Sequence, residues 1–229
     1  MKTTTKHLAI AIVGVILSAS LFQFQTEGAT KAKVSAGGSN TAKSCTNVNL
    51  PLKGKTIVLD PGHGGKDVGS TGGNGTYEKD VTLLTALNVR QKLVQQGATV
   101  VMTRDADTTI SLNERTAVAQ SENADLFISI HFDAFQTSDV YGMTTFYYKP
   151  QDQMIAEKIH DQLFKQDLNT KDRGVRFGDY HVIRENAKPA VLLELGYISN
   201  KKEETRMQTE SFQNQISTAI ASGVVNSLH

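Results

Sequence analysis

Apolar positions recur along this chain with more than one period, and each period predicts a different element. Six short runs read as strands: Lys55 to Asp60 (KTIVLD), Ala98 to Met102 (ATVVM), Leu126 to Ile130 (LFISI), Gly142 to Tyr148 (GMTTFYY), Tyr180 to Ile183 and Ala190 to Leu193 (AVLL). They are rich in β-branched and aromatic residues and are bounded by Gly, Pro or polar clusters. Between them the spacing turns helical. Val81, Leu84, Leu87, Leu93 and Val94 predict a helix over 79–96, with Gly97 as its stop. Ser111 followed by Glu114 has the form of a capping box, opening a helix that runs to about Glu122. Ile155, Ile159, Leu163 and Leu168 predict a helix over 152–168. Phe212, Ile216, Ile220, Val224 and Leu228 predict another over 210–228. Strands alternating with helices predict one α/β domain, a twisted, mostly parallel sheet with helices on both faces.

The first fifty residues have a different pattern. Lys2 and Lys6 precede an almost unbroken apolar run, Leu8 to Phe22 (LAIAIVGVILSASLF). A basic start followed by such a run is the pattern of a secretory signal peptide, expected over residues 1–29. The run falls short of the ~20 apolar residues of a membrane-spanning helix, so no stable span is expected once the signal is removed. Thr30 to Val48 is rich in Ser, Thr, Asn, Gly and Lys without an apolar period, which predicts a flexible linker over 30–52. The domain is then expected over 53–229, a size at which about 70% of the unfolded surface is buried and no staple is needed.

Cys45 is the only cysteine, so no intramolecular disulfide forms. Lys plus Arg number 24 against 23 Asp plus Glu. That balance argues against nucleic acid as a partner, which calls for a basic stripe. The chain has no Trp and no internal repeat, and a monomer is expected.

Four segments carry candidate chemistry. The first strand runs into Pro61-Gly62-His63-Gly64-Gly65, Glu78 follows in the next loop, Leu126 to Ile130 delivers His131, and Ala190 to Leu193 delivers Glu194. Residues past the carboxyl ends of parallel strands converge on one crevice. Two imidazoles and one carboxylate make a zinc site with an open position, leaving a second carboxylate to move protons. Each residue has a plainer reading. His63 fits a turn histidine, His131 a histidine at a strand end, and Glu78 a first-turn acid favoured by the helix dipole. Asp60 and Asp67 compete for the site. Asp60 suits holding the glycine loop or a ligating imidazole, and Asp133 suits the same duty toward His131. Glu194 has the weakest plain reading, because it interrupts a run that should be buried, where an unpartnered carboxylate is costly. Of the remaining histidines, His160 is expected on a solvated helix face, and His181 is a candidate to line a cleft.

The strings Val58-Leu59-Asp60-Pro61-Gly62-His63-Gly64-Gly65, the downstream Glu78, Phe127-Ile128-Ser129-Ile130-His131 and Leu193-Glu194-Leu195-Gly196-Tyr197-Ile198-Ser199-Asn200 resemble the zinc-dependent N-acetylmuramoyl-L-alanine amidases of bacterial cell-wall lysis. The likeness is to their Amidase_3 catalytic domain and spans about Lys55 to Leu228. Thr103-Arg104-Asp105, Leu112-Asn113-Glu114-Arg115 and Arg173-Gly174-Val175 agree as well. The resemblance implies one Zn2+ held by His63, Glu78 and His131, with Glu194 as the catalytic acid/base. It implies hydrolysis of the amide between the lactyl group of N-acetylmuramic acid and the L-alanine of the stem peptide, with peptidoglycan as the substrate outside the cytoplasm, secreted or in the cell wall. Arg173, Arg176, His181 and Arg184 are candidates to face the substrate's carboxylates. Phe132-Asp133 after His131 departs from the Ala-Asn of many relatives, and the segment from Phe132 to Tyr141 is short where self-inhibited relatives carry an insertion. Two other readings are a zinc peptidase acting on wall peptides and a non-catalytic wall-binding relative.

Overall fold

A computed structural model describes residues 50–229. The expected signal peptide, nearly all of the expected linker and Cys45 lie outside the described residues. Leu52 is fully buried and its N–H donates to the Gln96 carbonyl at 2.9 Å. The packed region therefore already includes residue 52.

The elements follow in the order β1 (Thr56–Pro61), α1 (Glu78–Gln95), β2 (Thr99–Met102), α2 (Leu112–Ser121), β3 (Leu126–Asp133) and β4 (Met143–Tyr147). A 3-10 turn at Pro150–Asp152 leads to α3 (Gln153–Phe164), β5 (Asp172–Phe177), α4 (His181–Arg184), β6 (Ala190–Tyr197), α5 (Lys201–Met207) and α6 (Glu210–Leu228). The sheet order is β2-β1-β3-β6-β4-β5. Every pairing is parallel except β4 with β6. From β1 the chain moves first to β2 on one side and then to β3 on the other. The carboxyl ends of β1 and β3 thus flank a switch point, where an open α/β sheet binds ligands.

Alternating side chains of the inner strands divide the core between the two faces. Ile57, Leu59, Ile128, Ile130, Val191 and Leu193 point to the face covered by α1, α3 and α6. Val58, Phe127 and Leu192 point to the other, against Ala119 of α2 and Val182 and Ile183 of α4. All eight residues of β6 are buried, as a strand covered on both sides requires.

The sequence reading differs from the structure at three elements. Tyr180 to Ile183, expected as a strand, is the start of α4, where the Ile183 and Arg184 amides donate back to the Tyr180 carbonyl. Four residues are too few to reveal a period. β5 escaped notice because Asp172-Arg173-Gly174-Val175-Arg176-Phe177 forms a sheet edge and has no alternation to show. α5 (KKEETRM) has no apolar period to announce it, yet Glu203 and Glu204 are buried within it. The capping box at Ser111 and Glu114 is present as expected. No described helix is long and apolar enough to cross a membrane.

The contact of α3 with α6 depends on one residue without a side chain. A Cβ at Gly223 would lie 2.5 Å from Ile159 Cα and 3.1 Å from the Lys158 carbonyl, both backbone. Gly223→Ala gains about 1 kcal/mol of helix propensity against about 1–3 kcal/mol of overpacking. We expect net destabilisation in denaturant unfolding. A more stable variant would show that the two helices separate freely.

Candidate metal centre

His63 leaves β1 in a loop with unusual backbone. Its own φ is +61°, a left-handed conformation that costs a non-glycine residue about 1–3 kcal/mol. Two buried arginines hold the loop there. Arg104 donates to the Pro61 carbonyl at 3.0 Å and to the Gly62 carbonyl at 2.8 Å. Arg115 donates to the carbonyls of Pro61 at 2.8 Å and His63 at 2.6 Å. Arg115 is itself fixed by Asp60, fully buried, at 2.7 Å. Asp60 also accepts from Thr103 and Ser129. Asp60 thus holds the loop through Arg115 and makes no bond to an imidazole. Asp67 has that duty instead, its carboxylate 2.9 Å from His63 Nδ1.

Glu78 is the first residue of α1 and is buried. Its Oε2 accepts from the Ser70 amide at 2.9 Å, and its Oε1 from the Phe132 amide at 3.2 Å. The loop before it, Gly72 to Thr76, is fastened by Glu204 of α5, whose carboxylate accepts from the amides of Asn74 and Thr76. His131 lies within β3, opposite Glu194 of β6 in the strand register. Asp133 does not reach it. The Asp133 carboxylate accepts from the Ala134 amide at 2.7 Å.

These elements bring His63, Glu78 and His131 together, with one donor atom from each within 4.8 Å of the others. Nitrogens of the two imidazoles lie 3.1 and 3.0 Å from the same Glu78 oxygen. Ligands on a tetrahedral zinc, with bonds of ~2.0–2.1 Å, stand about 3.3 Å apart, so the donor set and its spacing fit that ion. The Asp67 contact supplies the carboxylate behind a ligating histidine that metal sites commonly have. Glycines make the room. A Cβ at Gly62 would lie 2.2 Å from His131 Cε1, and one at Gly69 would lie 2.7 Å from His63 and 2.8 Å from Glu78.

The electrostatics divide the two glutamates. Burial pushes Glu78 up, but hydrogen bonds and charge from His131 and His63 outweigh it and hold its carboxyl well below the usual range. Burial likewise pushes the His63 imidazole down, and Glu78 and then Asp67 outweigh it, so the net shift is upward. Glu194 goes the other way. Burial first, then the charges of Glu78 and Asp133, raise it well above an ordinary carboxyl. Among the described residues its Oε2 is buried with no hydrogen-bond partner. An acid so placed needs a proton or a nearby cation. It was expected just past a strand, and it lies inside the eight-residue β6.

A cleft of about 580 Å³ exposes His63, Glu78, His131 and Glu194 together. Ile110, Leu112, Tyr180 and Val182 form its apolar wall. His181 lines it and bonds Asn113 at 2.8 Å, tying α4 to α2. His160 is not on a solvated face: it is buried between Thr145 and Asp172, at 3.0 and 2.8 Å, remote in sequence and in contacts from the cluster.

A His-Glu-His cluster at the switch point of an α/β sheet, with a buried acid beside it, is the arrangement of a metal-assisted hydrolase. The family is more specific. Residues 57–226 match the N-acetylmuramoyl-L-alanine amidase family, and the chain belongs to it. It is 42% identical over 182 residues, 78% of its own length, to the "Probable cell wall amidase LytH" of Staphylococcus aureus. It spans about 60% of the length of that relative. The catalytic domain of the N-acetylmuramoyl-L-alanine amidase CwlV from Bacillus (Paenibacillus) polymyxa var. colistinus superimposes with a TM-score of 0.73 at 40% identity, over 76% of this chain and 98% of that one. The N-acetylmuramoyl-L-alanine amidase AmiC2 of Nostoc punctiforme does so with a TM-score of 0.73 at 36% identity, over 76% and 97%.

Two outcomes follow from these contacts. Arg115→Ala leaves Asp60 buried and unpaired, which costs about 3–5 kcal/mol in unfolding free energy; a loss below about 1 kcal/mol would mean the pair does not hold the loop. With no metal bound, burial raises the folded pKa of Glu194 above its unfolded value. The folded state then binds more protons in that window, and stability falls as pH rises through it. Glu194→Gln should therefore unfold at higher urea than wild type at pH 7, with the gain vanishing near about pH 4. Equal midpoints at both pH values would contradict this.

Proposed function

We propose that the protein is a zinc-dependent N-acetylmuramoyl-L-alanine amidase. It hydrolyses the amide joining the lactyl group of N-acetylmuramic acid to the L-alanine of the peptidoglycan stem peptide. The observation that carries this reading is Glu194, a buried carboxylate with a free oxygen in the cleft shared with His63, Glu78 and His131. Family membership and the names of the relatives support the substrate. The basic and apolar start of the sequence supports export to the wall, where that substrate lies.

His63, Glu78 and His131 hold the ion. Bound zinc supplies Lewis acidity to the amide carbonyl and to water. Asp67 fixes the orientation of the His63 ring from its far side. The arginine-held loop keeps that ring in place without a rearrangement during the reaction. Glu194 accepts the proton of the attacking water as the new C–O bond forms. It then delivers the proton to the alanine nitrogen as the C–N bond breaks, so one carboxylate serves both halves of the reaction. Burial, then the charges of Glu78 and Asp133, raise the affinity of this carboxylate for the proton it takes up.

The division between the two glutamates is open to a direct test. Glu194→Gln should retain zinc and lose activity by ~10²–10⁴-fold, the usual contribution of a general acid–base group. Glu78→Gln should lose zinc, because it removes the only charged donor of the set. Metal content by atomic absorption, measured beside the rate for each variant, decides it. A Glu194→Gln protein that loses its metal, beside a Glu78→Gln protein that keeps both metal and rate, would show the roles exchanged.

A further inference from the structure

Next to the catalytic cleft is a second, smaller hollow of about 310 Å³, walled by Phe135, Tyr141 and Tyr197 and carrying Lys171 and Arg173. The two spaces adjoin along the sheet: Asp133 and Ala134 line the cleft, Phe135 and Tyr197 line the hollow, and Asp133 pairs with Tyr197 in the strand register. Arg173 is fixed in this hollow. Its guanidinium stacks 5.1 Å over the Tyr197 ring, and Nη1 donates to the Tyr141 carbonyl at 3.3 Å. The position depends on Gly142, where a Cβ would lie 2.8 Å from the Arg173 side chain.

Among the described residues, neither Arg173 nor Lys171 is in an ion pair, whereas Arg115, Arg184 and Arg206 each have a carboxylate partner. Asp139 is the one acid lining the hollow, and among the described residues it is in no ion pair with either cation. The other candidates from this part of the chain are otherwise engaged. Arg184 is held by Asp179 and Glu185, Arg176 donates to the Arg173 carbonyl, and His181 bonds Asn113. A preoriented guanidinium with free donors, backed by an aromatic face and a second cation, is a site for a carboxylate.

The strand register sets its distance from the reaction. His131 pairs with Glu194, and Asp133 with Tyr197, so the hollow begins two residues further along β3. That is about 7 Å of strand rise. An extended peptide advances ~3.3–3.6 Å per residue, so two steps from the scissile lactyl carbonyl at the cluster, past L-alanine, bring the second residue of a stem peptide to the hollow. In a stem peptide that second residue is a glutamate linked through its side chain, and its α-carboxylate is free.

We propose that Arg173, with Lys171 beside it, binds this α-carboxylate and selects stem peptides in which it is ionised over those in which it is amidated. The proposal rests on the amidase reading above. The test uses zinc-loaded enzyme and two synthetic muramoyl peptides that differ only in carrying a carboxylate or a carboxamide at that position. The quantity read is the ratio of kcat/KM between them, which does not depend on how much of a variant is folded. Wild type should favour the carboxylate by roughly ten- to a hundredfold, the range of a charge-assisted hydrogen bond. Arg173→Gln should bring the ratio close to one, and Arg173→Lys should retain part of it. A wild-type ratio near one, or a ratio unchanged in Arg173→Gln, overturns the proposal while leaving the amidase reading in place. Release of no stem peptide from either substrate by wild type overturns the amidase reading itself, and this proposal with it.

Discussion

The buried carboxylate of Asp60 is the point on which the site depends. It lies at the end of β1, fully buried, with Thr103, Arg115 and Ser129 around it. A charge there is tolerable only because Arg115 neutralises it and two hydroxyls complete its shell. The guanidinium that neutralises it also binds the carbonyls of Pro61 and His63. One ion pair therefore sets the direction in which the chain leaves the sheet. Arg104 binds the same loop from another side, which explains how His63 can be held in a left-handed conformation. The strain is local and its support comes from β2, α2 and β3.

The other two members of the cluster use different supports. Glu78 begins a helix, and its preceding loop is tied by Glu204, from a helix far along the chain. His131 lies in a central strand and needs only that strand's register. Three supports from distant parts of the chain, with β3 common to them, meet at one point. Such a site is held by the whole domain, and glycines at 62 and 69 are what let the three side chains approach so closely. Glu194, from the neighbouring strand, shares the register of His131, which fixes its separation from the cluster without a hydrogen bond of its own.

Much of this was legible in the chain. His63 and His131 stood out because each follows an apolar run, and Glu194 because it breaks one. The sheet, its parallel character and the four longer helices followed from periodicity. What escaped was structure whose partners are backbone groups far away. Glu203 and Glu204 lie in a polar run with no apolar period, and their oxygens accept from the amides of Tyr197 and of the loop before Glu78. His160 looked exposed because its partners, Thr145 and Asp172, are on strands that no local pattern links to α3. Asp60 and Asp67 could not be ranked from spacing, since the difference lies in which one Arg115 reaches. Edge strand β5 has no alternation to detect, so the placement of Arg173 emerged only with the fold.

The central claim concerns which bond is cut, and mass analysis of the fragments released from purified peptidoglycan tests it most directly. The account predicts glycan chains bearing free lactyl carboxyls together with intact stem peptides that begin at an unblocked L-alanine. Stem peptides cut between their own residues, with L-alanine still attached to muramic acid, would contradict it.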